Sequence, residues 1–365
     1  MKPRLKGIHK GLLTATLFLS ALGLAIISSA STVLSYQRFG NNTYYLKRQL
    51  FAVCVGLVIM FVVSRIDYRL FKRYSPIIMM ICLILLGLIL VTPLGFKVGN
   101  ARRWIDLGNF FFQPSEFTKL AVILYLAAWI DSRPEAMRSF FSGLLGPLVV
   151  VGAASMLIII EPDFGSMTAL LLIAVSIIFA GGAKISHLIG LLAVAAAAGW
   201  IAIQAAPYRM ERVMTFLNSS SDPLGAAYQI NQALLAIGSG GVWGYGFGES
   251  RQKFNFLPEP IGDSVFAVAA EELGFLRIIL ILMLYAVFAY CGFQVARRAP
   301  DMFGKLVAVG VTMWVVIQTS VNIGSMLNLF PLTGIPLPFL SYGGSAIIAL
   351  LTSIGILLSI SRYRL

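Results

Sequence analysis

DSVFAVAAEELGFLRIILILMLYAVFAYCGF, residues 263–293, decides the fold. An aspartate opens the stretch, and two glutamates and an arginine follow inside it. The remainder is apolar for longer than a bilayer requires, since a hydrocarbon core of about 30 Å takes about 20 apolar residues in a helix. Working outward, nine further stretches come close to that length: 11–34, 46–64, 75–94, 115–131, 139–160, 164–182, 185–206, 304–328 and 337–361. Segments buried in lipid must satisfy their own backbone polar groups, which requires helices. Barrel strands would be shorter and would alternate. The expected fold is therefore an all-α integral membrane protein with about ten transmembrane helices. A long outer loop, 207–262, lies between helices seven and eight, and no separate soluble domain is expected.

Composition agrees with this reading. Of 365 residues, 58% are hydrophobic and 12% charged, about half the charged share of an average soluble domain. The basic N-terminus precedes an apolar run too long for a signal peptide, so residues 11–34 read as an uncleaved first helix. Cys54, Cys82 and Cys291 fall inside apolar runs, where thiols behave as small hydrophobes. Lys and Arg set the orientation. With the N-terminus inside, inner segments carry 16 of them and outer segments 10. Both termini are then cytoplasmic. Of the 15 acidic residues, only Asp67, Asp131, Glu135 and Asp301 fall in inner loops. Acids and bases thus gather on the outer side, the pattern an ionic substrate and acid–base chemistry need; a set of solvated loops is the plainer explanation.

Four clusters stand out. Asn100-Ala-Arg-Arg-Trp-Ile-Asp106 precedes Gln113-Pro-Ser-Glu-Phe-Thr-Lys119, where Pro114 marks a helix start. Glu116 and Lys119 share a helical face and can pair, and ionisable residues within the membrane mark functional sites by default. A structural ion pair is the alternative. Arg102 and Arg103 match phosphate geometry, or anchor lipid headgroups. Glu161-Pro-Asp-Phe-Gly-Ser166 is a short turn whose Asp163 suits either a cap or a site. Asp263 opens its helix as a cap or as a base, the two being compatible, and Glu271 and Glu272, with Arg277 as a candidate partner, are costly inside a span. Thr333-Gly-Ile-Pro-Leu-Pro-Phe-Leu-Ser-Tyr-Gly-Gly-Ser345 breaks helicity at membrane depth, which is tolerated only inside protein or at a cavity. Ser341, Tyr342 and Ser345 would offer hydroxyls there; close packing of small residues is the alternative. No P-loop, Gly-x-Ser-x-Gly elbow or His/Cys metal set is present. His9 and His187 fall in inner segments.

In this order, these clusters resemble the SEDS (shape, elongation, division and sporulation) family. Asp222-Pro-Leu-Gly-Ala, Ala236-Ile-Gly-Ser-Gly-Gly, Phe256-Leu-Pro-Glu and Ala270-Glu-Glu-Leu-Gly extend the likeness over nearly the whole chain. The stretch Ser250-Arg-Gln-Lys-Phe-Asn-Phe-Leu-Pro-Glu-Pro looks closer to the division-type FtsW branch than to the elongation-type RodA branch. The resemblance implies a ten-helix peptidoglycan glycosyltransferase of the bacterial cytoplasmic membrane. It would act on lipid II at the outer face, beside a class B penicillin-binding protein and other divisome or elongasome membrane proteins, and with no nucleic-acid partner. The family's essential acid aligns with Asp263. Many members carry His-Thr just before it, where this chain has Ile261-Gly262. On this reading Asp263 is the base of a single inverting displacement. Arg103, Lys119 and Arg212 stabilise the departing undecaprenyl pyrophosphate, and Glu116 positions Lys119. Arg102, Ser341 and Tyr342 are further substrate-binding candidates. Glu161, Asp163 and Glu271 order the site or hold a divalent ion. A lipid II flippase and a non-catalytic scaffold that activates a transpeptidase are the rival expectations.

Overall fold

A computed structural model describes residues 7–93, 95–98, 101–106, 108, 111–205, 207–217 and 226–363. Asn100 and residues 222–225 of the motifs above lie outside them. Each of the ten expected spans meets a helix: α1 Lys10–Ala30, α3 Tyr44–Arg65, α4 Arg69–Val91, α5 Pro114–Ser132, α6 Leu145–Ile160, α7 Phe164–Ala180, α8 Ile185–Gln204, α11 Val265–Arg297, α12 Met302–Met326 and α13 Gly344–Arg362. Among the described residues, eight helical stretches are long and apolar enough to cross a membrane unaided. The other two are α7, with 17 residues, and α5, which carries Glu116, Lys119 and Asp131. Short α2, Thr32–Phe39, follows α1 directly, and α9 Pro207–Leu217 and α10 Ala226–Ser239 lie within the long loop.

The bundle is built around α5, α12 and α13, whose side chains are buried almost throughout. α3 packs along α13, and α11 along α12. α8 is peripheral; Leu188 is its one buried residue. Its many alanines present little surface for packing and suit a lipid-facing helix.

The two ends of the bundle differ in chemistry. At one end the His9 amide donates to Ser361 Oγ (3.1 Å), Tyr68 donates to Asp301 (2.5 Å), and Lys72 pairs with Asp131. The start of α1, the end of α13 and the expected inner loops therefore share one end. The expected outer segments meet at the other, where the Gln113 amide donates to Ser345 Oγ and the Tyr342 amide to Ile261 O.

Two features depart from the helical pattern. Residues expected as loop form a small antiparallel sheet, β1 Gly95–Val98, β2 Ala101–Asp106 and β3 Phe111–Phe112. Gly95 pairs with Ile105 and Ile105 with Phe112, with an irregularity between Phe96 and Lys97. The second is a break in α11 at Gly274 (φ 72°, ψ 174°), where the sequence reads as one span. The groups freed by the break are taken up by the preceding loop. Tyr245 N donates to Glu271 O (3.1 Å) and Gly246 N to Glu272 O (3.0 Å), while Phe275 N donates to Gly241 O (2.9 Å) and Leu276 N to Val242 O (3.2 Å). A Cβ on Gly274 would lie 2.2 Å from Gly244 N, and one on Gly244 2.2 Å from Glu272 O. Neither position has room for a side chain, and both need positive φ. The last span also begins later than expected, at Gly344, because Pro336 and Pro338 keep the preceding chain irregular.

Candidate active site

Asp263 lies one residue ahead of the cap of α11. The cap position is Ser264, whose side chain makes no capping bond, and among the described residues the Asp263 carboxyl accepts from no first-turn amide. Gln229 Nε2 of α10 reaches Asp263 Oδ2 (3.3 Å) and Ser264 Oγ (3.0 Å). Asn322 Nδ2 of α12 holds the Asp263 carbonyl (2.9 Å) and Ile335 O (2.8 Å). Asp263 Oδ1 is buried and has no hydrogen-bond partner among the described residues. Burial, and secondarily the Glu259 carboxylate, push the Asp263 carboxyl up to about 6, against the opposing pull of Gln229 and Arg212. A base that titrates near neutrality is well matched to proton abstraction.

Arg212, on α9, comes to the same place. Its Nη1 donates to Leu332 O (3.1 Å). The point where a Cβ on Gly334 would sit lies 3.9 Å from both Arg212 Nη1 and Asp263 Oδ2. A bare glycine with φ +70° thus leaves a small space bordered by a cation and a carboxylate. Ser341 and Tyr342 secure the adjoining backbone: Ser341 Oγ donates to Gly262 O (2.6 Å) and accepts from Leu337 N (2.7 Å), and Tyr342 N donates to Ile261 O (2.8 Å). The Ser341 hydroxyl is therefore committed to main chain.

Glu116 and Lys119 pair as their spacing predicts, at 2.8 Å, with side chains 2% and 0% exposed. Lys119 Nζ also donates to Gln318 Oε1 (3.1 Å), which accepts from Trp314 Nε1 (2.6 Å), and the ammonium lies 4.9 Å from the Trp314 ring centre. Gln318 Nε2 in turn holds Pro336 O (2.8 Å). Glu116, Gln318 and Ser341 line a narrow cavity of about 20 Å³, room for one or two waters. The pair thus supports the irregular segment that leads to Ser341.

Strand alternation places Arg102 and Arg103 on opposite faces of β2. Arg102 is exposed. Arg103 Nε donates to Glu161 O (3.1 Å) and its Nη2 to Pro162 O, so the sheet clasps the α6–α7 turn. Asp163 caps α7, accepting from Ser166 N (3.1 Å). Both Glu161 carboxyl oxygens are buried without a partner among the described residues. Burial first, then Asp163, raise that carboxyl from 4.5 to about 9 against Arg103. The folded chain therefore holds this proton more tightly than the unfolded chain, and stability falls as pH climbs from about 4.5 towards about 9. Glu161→Gln should remove that slope and raise stability by about 3 kcal/mol near neutral pH. Thermal unfolding in detergent at several pH values checks it; parallel wild-type and variant profiles would disprove it.

Glu271 and Glu272 look outward to the loop instead. Glu271 accepts from Ser250 Oγ (2.5 Å), Arg251 N (3.0 Å) and Gln252 N (3.3 Å). Glu272 pairs with buried Lys253 (3.0 Å) and accepts from Ser29 Oγ (2.6 Å). Its partner is therefore Lys253; Arg277 bonds Trp243 O and Leu273 O. Glu161, Asp163 and Glu271 do not converge, and among the described residues no group of three His, Cys, Asp or Glu side chains is placed to hold a metal.

Gln229, Gln318 and Asn322 were not anticipated. The available signal was Gln318 and Asn322, four apart and on one face of an otherwise apolar helix.

Comparison with known proteins adds to this geometry. A family profile described as "Cell cycle protein", covering FtsW, RodA and SpoVE, matches residues 10–365. The chain is 41% identical over 354 residues to stage V sporulation protein E of Bacillus subtilis (strain 168), covering 96% of each. It is 38% identical to a probable peptidoglycan glycosyltransferase FtsW of Trichlorobacter lovleyi, covering 96% of this chain and 92% of that one. Among solved structures, a chain of a peptidoglycan synthase complex that coordinates polymerization and crosslinking superposes with a TM-score of 0.80 at 29% identity, covering 96% and 97%. The rod shape determining protein RodA of Thermus thermophilus gives 0.72 at 29% identity, covering 97% and 96%.

Proposed function

The chain belongs to the FtsW/RodA/SpoVE, or SEDS, family and is FtsW-like within it, and from that premise we propose how it works as a peptidoglycan glycosyltransferase. The observation that carries the reading is the Asp263 carboxyl: unused for capping, with one oxygen unpartnered among the described residues, and beside the Arg212 guanidinium.

Lipid II serves as donor and acceptor. Asp263 removes the proton from the acceptor sugar hydroxyl as that oxygen bonds to the donor's anomeric carbon. The bond from that carbon to undecaprenyl pyrophosphate breaks, and the pyrophosphate departs with the electron pair. An α linkage becomes β in one inverting step, so no covalent enzyme intermediate is needed. Arg212 stands closest to the acid and is the first candidate to stabilise charge on the departing group; Arg102 and Arg103 are candidates at the rim. Lys119, buried with Glu116, acts through Gln318 by holding the 336–341 segment in place. Glu271 serves the site at a distance by fixing the loop. The end bearing Asp263 faces outward from the bacterial cytoplasmic membrane, both termini are cytoplasmic, and a class B penicillin-binding protein crosslinks the product.

Purified protein reconstituted in vesicles with that partner and labelled lipid II should yield polymeric glycan. Transfer of lipid II across the bilayer without polymer, or polymer only when the partner supplies its own polymerase, would defeat the reading.

A further inference from the structure

The reaction leaves unused a row of aromatic side chains beside the acid. Phe39 ends α2, and Tyr44 and Tyr45 open α3. The Phe39 and Tyr44 rings stack with centres 3.7 Å apart and planes 19° from parallel. Tyr44 meets Tyr45 edge to face at 5.7 Å, and Tyr45 meets Tyr342 in the same way at 5.1 Å. Two cations are built into the row. The Arg48 guanidinium lies 4.8 Å from the Tyr44 ring centre, and Arg38 Nη1 donates to Tyr45 OH (3.2 Å).

The row has a direction. It begins at Phe39, 47% exposed, and ends at half-buried Tyr342, whose amide bonds Ile261 two residues before Asp263. The negative face of an aromatic ring attracts the C–H faces of a pyranose as it attracts the edge of another ring. A guanidinium held over such a ring has N–H groups directed to hydroxyls and carboxylates. Neutral, ring-shaped and carboxylate-bearing units in succession are what such a surface fits.

We propose that Phe39, Tyr44 and Tyr342, with Arg48, form a saccharide track that holds the growing glycan strand on one side of Asp263. The proposal rests on the glycosyltransferase reading and assigns that site its polymer-binding part. Retention of the strand between additions would lengthen the product.

The test compares wild type with Phe39→Ala/Tyr44→Ala and with Tyr44→Phe, all reconstituted with the partner. Binding of a chito-oligosaccharide, followed by saturation-transfer NMR, should weaken about tenfold in the double variant and persist in Tyr44→Phe, which keeps the ring. At equal lipid II consumption the double variant should give shorter strands. Unchanged saccharide affinity in a double variant that melts like wild type would overturn the track, as would unchanged strand length. Saccharide binding reads the track even if no polymer forms; absence of polymer from wild type would count against the glycosyltransferase reading alone.

Discussion

Asp263→Asn should lower glycan polymerisation about 10³-fold, within the range that a positioned general base contributes. The substitution removes the proton acceptor and little else, because Gln229 is the one side chain among the described residues that bonds the carboxyl, and the carboxyl does not cap the helix. The fold should therefore not weaken. A carboxyl raised to about 6 by burial is destabilising when ionised, so the amide variant should melt at or above the wild-type temperature at neutral pH. The wild type should also show a titration. The ionised form is the base, so kcat/KM should rise with pH through about 6 and level off above it. Rates from reconstituted protein between pH 5 and 8 check the profile. A variant within tenfold of wild type, or a wild-type rate that falls across that interval, would remove Asp263 from the mechanism.

Lys119→Met should cost about 3–5 kcal/mol, because it leaves the Glu116 carboxylate buried without its cation. The loss should spread to the site, since Lys119 also orients Gln318, which holds Pro336 O. Lys119→Met/Glu116→Gln removes both charges together and should recover most of the stability. Thermal unfolding of wild type, Lys119→Met, Glu116→Gln and the double variant in detergent gives the coupling between the two positions. If the double variant melts no higher than Lys119→Met, the ion pair is not what the single substitution breaks. If stability returns and polymerisation does not, Lys119 serves the reaction as well as the fold.

The spans were legible because hydropathy is local: a helix in lipid announces itself in about 20 consecutive residues. Asp263 was legible for a related reason, as an acid at the threshold of the longest apolar run. The Glu116–Lys119 pair follows from a spacing of three. What the sequence withheld is non-local. The sheet pairs Gly95 with Ile105 and Ile105 with Phe112 across turns of mixed composition, with no regular alternation. Lys253 and Glu272 are separated by 19 residues and meet only because the loop folds back on α11. Gly274 in an apolar run reads as a packing residue, and nothing adjacent to it reveals that Gly244 occupies the same space. Gln229 reaches Asp263 from 34 residues earlier, on a helix within a stretch that reads from the sequence only as a long outer loop.

The break at Gly274 bears on how the acid is steered. The outer piece of α11, which follows Asp263, accepts from Tyr245 N and Gly246 N, while Phe275 N and Leu276 N at the head of the inner piece donate to Gly241 O and Val242 O. Glu271 and Glu272 fasten the same piece to residues 250–253. The loop therefore splints the break: it is joined to both pieces of α11, and it fixes the angle between them. Residues 241–253 are thus a brace built from sequence next to the acid, and the short helix that follows Asp263 takes its direction from them.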